Sequence, residues 1–122
     1  MVTAHLVSLD SPDLAPDALP LDPKNCSVAL NAAIGPKGSP GAENFAFTVV
    51  TPRYLADHSE ARWGRGLLLI DVFSWPGVKR MVERLVAHAS GSTWSEVAEK
   101  LNRELLWEFD NYSPSKEAVR AV

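Results

Sequence analysis

Residues 28–52, VALNAAIGPKGSPGAENFAFTVVTP, decide the fold. Val28, Leu30 and Ala32 alternate along one side of an extended chain, and Phe45, Phe47 and Val49 repeat the pattern after a break. Period-two apolar spacing bounded by turn residues is the signature of a β-hairpin. The break holds Gly35, Gly38 and Gly41, expected to allow positive φ, and Pro36 and Pro40, which fix φ and stiffen the connection. A lone hairpin is not stable in water, so the flanking sequence is expected to cover its apolar face.

Upstream, Ala4 to Leu9 is a short apolar run that predicts a first strand ending at Asp10-Ser11-Pro12. Residues 10–25 carry Pro12, Pro16, Pro20 and Pro23, a spacing that helix interiors reject, and read as an ordered, extended surface loop. Downstream, Thr51-Pro52 has the form of an N-cap with proline in the first helical turn, starting a short helix that ends near His58. Residues 59–66 read as loop. Leu67 to Phe73 is nearly continuous in apolar residues, as in a strand covered on both faces or central in a sheet.

Ser74 then predicts a cap for a helix over about 75–90, with Val78, Val82, Leu85, Val86 and Ala89 on one face and Gly91 as a left-handed terminator. Thr93 and Glu96 form a capping box for a second helix reaching about Tyr112. At about 100° per residue, Trp94, Val97, Ala98, Leu101, Leu105 and Phe109 make its buried stripe, with Trp107 on the other side. The expected fold is therefore α+β: about four strands in an antiparallel sheet, two long C-terminal amphipathic helices packed on one face, and a short helix after the central hairpin. The chain reads as a single domain over 1–122, with a globular core to residue 113 and a polar tail at 114–122.

With 46% apolar and 22% charged residues in 122, the chain is ordinary for a globular domain and long enough to bury a core. A formal net charge of −3 argues against nucleic acid as the main partner. The whole excess lies in residues 1–34, where Asp10, Asp13, Asp17 and Asp22 face Lys24 alone. Such a segment is a solvated loop or a docking surface for a basic partner. Cys26 is the only cysteine, so no internal disulfide forms, which suits a reducing compartment. MVTAHLVSLD has no leader character, and no stretch approaches membrane-spanning length. The cytoplasm is the expected location.

No catalytic constellation is legible. His5, His58 and His88 are scattered without ligand spacing, and one cysteine does not make a common zinc site. His58-Ser59-Glu60 reads as exposed loop, and Glu104 and Glu108, four apart, as a helix surface. There is no GxSxG elbow or HExxH motif, and GPKGSPG lacks the spacing and the Gly-Lys-Ser/Thr of a phosphate loop. No catalytic residue, metal or cofactor is assigned. Among the four tryptophans, Trp75 and Trp94 at helix starts read as core, and Trp63 and Trp107 as partly exposed, either interface anchors or residues packed at the rim of the sheet. The candidate partner-binding residues are Asp10, Asp13, Asp17, Asp22, Trp63 and Trp107. A small-molecule-binding or enzymatic domain with a cleft between sheet and helices is the alternative.

The motifs Ile34-Gly35-Pro36-Lys37-Gly38, Phe47 through Thr51-Pro52, Trp63-Gly64-Arg65, and Thr93-Trp94 leading to Trp107-Glu108-Phe109 occur in an order and spacing that resembles the immunity protein 8 family. The resemblance spans roughly residues 4–112. It implies a bacterial polymorphic toxin system in which a cytoplasmic protein, encoded beside a toxin gene, neutralises a cognate toxin by stoichiometric binding. It implies no cofactor and no turnover. The departures lie in residues 13–25, where this chain is proline-rich rather than aromatic and glutamate-rich.

Overall fold

The computed structural model of the protein describes residues 1–110; the tail expected at 114–122 lies outside them. The hairpin forms as its alternation requires. Strand β2, Ser27–Pro36, and strand β3, Glu43–Val50, pair antiparallel from Ser27 opposite Val50 to Ile34 opposite Glu43. This register sets Val28 against Val49, Leu30 against Phe47 and Ala32 against Phe45, all buried on one face. Of the three turn glycines only Gly38 has positive φ, at 86°. Gly35 is needed for space instead: a Cβ there would lie 1.9 Å from the carbonyl oxygen of Gly41, which folds back over it.

Strand β1, Val2–Asp10, pairs antiparallel with β2, and its register slips by one residue between Leu6 and Ser8. Without that bulge Leu6 and Leu9, three apart, would point to opposite faces. With it, Leu6 opposes Ile34 and Leu9 opposes Ala32, and both pack on the core while Val7 is exposed. The loop that follows continues the ladder with side chains. Ser11 Oγ donates to the Ala29 carbonyl at 2.6 Å, and an Asp13 carboxylate oxygen accepts the Ala29 N–H at 3.1 Å. Further on, Trp75 Nε1 donates to the Ala18 carbonyl and the Phe73 N–H to that of Pro23. The proline-rich segment is thus tied down along its length.

Helix α1, Pro52–Asp57, starts as expected, with Thr51 Oγ1 accepting the Tyr54 N–H. The chain then crosses back to strand β4, Leu67–Leu69, which runs parallel to β3 with Leu68 opposite Val49. The expected central strand over 67–73 is thereby corrected. β4 is three residues long and lies at a sheet edge, and Leu69 is 58% exposed. Apolar composition alone did not distinguish an edge segment from a covered one. The all-antiparallel expectation also fails here, because a helix and a loop, rather than a tight turn, join β3 to β4.

Helix α2, Trp75–Ala87, is capped by Ser74 Oγ accepting the Gly77 N–H. It stops before the expected Ser90. Ser90–Gly91 instead form strand β5, pairing with Thr3 and Val2 of β1, and Gly91 has no positive φ. Helix α3, Trp94–Leu101, has the Thr93 cap, while the Glu96 carboxylate reaches the Ser92 N–H rather than the cap's own. The helix expected to run to Tyr112 ends at Leu101. Leu106–Trp107 form strand β6, antiparallel to β3, with Trp107 opposite Phe45. Strand pairing wins here because the β3 edge is open at Phe45 and Ala46, and aromatic and branched residues suit a half-buried pleat.

The described residues form a mixed α+β fold with three helices and a six-stranded sheet, ordered β4-β3-β2-β1-β5, in which β6 shares the outer edge of β3 with β4. Among the described residues only α2 is a long helix. Val78, Val82, Val86, Val97, Ala98 and Leu101 pack with the inward sheet residues into one core.

Candidate partner-binding surfaces

The six candidate contact residues fall in different places. Asp10 ends β1, exposed, and with Asp17 borders a groove of about 1070 Å³ between β1, α2 and the loop after β1. Asp17 has φ of 62°, a left-handed conformation that aspartate tolerates better than most residues. Asp13 and Asp22 have structural duties: Asp13 holds Ala29, and the Asp22 carboxylate accepts the Lys24 N–H at 3.1 Å. Trp63 is 94% exposed in the loop before β4. That puts it at the opposite end of the sheet from β1.

Trp107 is a rim residue, fixed by contacts that reading it on a helix could not foresee. Its ring stacks on Phe45 with centroids 6.3 Å apart, and Trp94 meets Phe45 edge-on at 6.4 Å. Both indole N–H groups donate to the same Glu43 carboxylate oxygen, at 2.5 Å from Trp94 and 3.2 Å from Trp107. Glu108, expected on a helix surface, accepts the Asn44 N–H at 2.8 Å and returns its own N–H to the Asn44 carbonyl. Arg65 pins this turn to β4, with Nη2 donating to the Asn102 carbonyl and Oδ1 at 2.7 and 2.5 Å. It also lies 3.6 Å from a carboxylate oxygen of Asp110.

Sequence reasoning missed two surfaces. One is the β1 edge: β5 pairs only with Val2 and Thr3, so among the described residues no strand covers β1 from Ala4 to Asp10 on that side. Its signal in the sequence is the Leu6–Leu9 spacing, which does not fit a regular strand. The other is a cavity of about 390 Å³ on the helical side, lined by Phe47, Leu68, Met81, Leu85, His88 and Glu104. There His88 is engaged locally, its Nδ1 2.8 Å from the Arg84 carbonyl.

His58 stacks on Tyr54 at 4.0 Å and contacts its carbonyl through Nδ1. Among the described residues no three His, Cys, Asp or Glu side chains gather as metal ligands would, and no helix is long and apolar enough to cross a membrane. Burial pushes the Cys26 thiol pKa up, and the charge of Asp22 adds to the effect. The described residues form a mixed α+β fold. The family model of immunity protein 8 matches residues 4–112, and the chain belongs to that family. No curated protein and no solved structure gave a match.

Proposed function

We propose that the protein is an immunity protein that neutralises a cognate toxin by one-to-one binding, without turnover. Membership of the immunity protein 8 family across residues 4–112 carries this reading. The surfaces suit it. Asp10 and Asp17 leave negative charge exposed at one sheet edge, and Trp63 presents an indole at the other. Acidic residues of this kind steer a basic partner, and exposed tryptophan supplies a buried anchor once bound. The bacterial, cytoplasmic setting belongs to the same proposal.

The test is a calorimetric titration against the toxin-like protein encoded beside this gene, with the toxin's activity followed in parallel. Saturable one-to-one binding that abolishes activity is the expected result. A toxin that stays fully active in excess protein overturns the proposal.

A further inference from the structure

The uncovered edge of β1 has a defined polarity. In an antiparallel strand, successive residues turn their backbone groups to opposite neighbours. Ala29 directs its N–H and carbonyl toward the β1 side, where Asp13 and Ser11 take them. By alternation Asn31 and Ala33 do the same, so their partners Asp10 and Ser8 face β2 and Leu9 faces away. Thr3 accepts the Lys37 N–H on the β2 side, so Leu6 also faces away. The bulge at Val7 thus aims the N–H and carbonyl groups of both Leu6 and Leu9 at the groove.

A bulge can protect an edge by twisting it away. Here the edge opens into about 1070 Å³ of space, with Trp75, Pro76, Lys79 and Glu83 of α2 as the far wall and residues 11–17 at one end. The β1 segment from Ala4 to Asp10 offers roughly 20 Å of strand length, enough for an added strand of five or six residues. The charged groups lining the space are Asp10, Asp17 and Glu83 against Lys79, a negative surplus.

Resting on the reading above, we infer that this groove takes an extended segment of the toxin as an added strand on β1, with lysine or arginine side chains reaching Asp10 on one face of the sheet and Glu83 on the other. Main-chain hydrogen bonds to Leu6 and Leu9 provide the ladder, and the acidic rim selects the sequence. The segment completes the edge that β5 leaves after Thr3.

Amide hydrogen exchange by NMR tests this, on the free protein and on its complex with the toxin-like protein encoded beside the gene. The Leu6 and Leu9 amides are expected to exchange freely alone and at least a hundredfold more slowly in the complex. The double variant Asp10→Lys, Glu83→Lys changes only exposed side chains and is expected to bind at least tenfold more weakly with an unchanged melting temperature. Tight inhibitory binding with unprotected Leu6 and Leu9 amides overturns the groove assignment and leaves the proposed function standing. So does full affinity in the double variant. Absence of any binding overturns both.

Discussion

Thr51 shows how much one hydroxyl can hold. Fully buried, it accepts the Tyr54 N–H to start α1 and the Cys26 N–H at 3.0 Å to fix the entry to β2. Thr51→Val keeps the shape and strands two donors, one of them buried. The loss of a cap and of a buried hydrogen bond together cost about 2–3 kcal/mol; the urea midpoint should fall accordingly with an unchanged m-value. Its neighbour Cys26 keeps its proton beyond the ordinary thiol range because burial, aided by Asp22, disfavours the thiolate. The folded state then holds a proton that the unfolded chain releases. Stability from this group is complete below the ordinary thiol value and declines as pH rises above it, by at most about 1.4 kcal/mol per pH unit. Chemical denaturation between neutral and strongly alkaline pH should show that decline in the native protein and a flatter profile in Cys26→Ala.

At the scale of elements, legibility followed locality. The hairpin, the Thr51 and Ser74 caps and the Thr93 turn were readable because each depends on residues within a few positions. Residues 67–73 and 102–110 were not, because their structure depends on which edge of β3 stands open. Leu105 is buried whether the chain continues as helix or turns, so the periodic stripe could not choose between them. The candidate contacts divided the same way: the exposure of Trp63 agreed with its loop, whereas the ties of Asp13 to Ala29 and of Trp107 to Glu43 join segments distant in sequence. The bulge gives the sharpest test at this scale. Deleting Val7 removes the extra residue and leaves Leu6 and Leu9 two apart, so a regular strand keeps both on the core face. No leucine is then lost from the core, so thermal melting should show a stability within about 1 kcal/mol of the native protein, the size of one net hydrogen bond.

For the whole molecule, the distribution of charge is more telling than its total. Two of the four N-terminal aspartates are occupied in building the loop, and Asp10 and Asp17 remain to act at a distance. The pair Asp10→Asn, Asp17→Asn should lower the association rate with the toxin several-fold at low salt and converge with the native protein at high salt, as stopped-flow measurements would show. Altering Asp13 alone should instead lower stability by about 1 kcal/mol, measured by chemical denaturation, through loss of its hydrogen bond to Ala29.

The divided edge of β3 bears on the order in which the protein is made. Its outer side is closed at Thr48–Val50 by β4 and at Phe45–Ala46 by β6, the last strand described. On the ribosome, residues 1–50 emerge first and carry a hydrophobic hairpin with that side bare. Half of it stays bare until Leu106 and Trp107 have cleared the exit tunnel and reached Phe45. A message truncated before these codons would release a chain bearing nearly every core residue and an unsealed strand, the kind of species that associates with copies of itself.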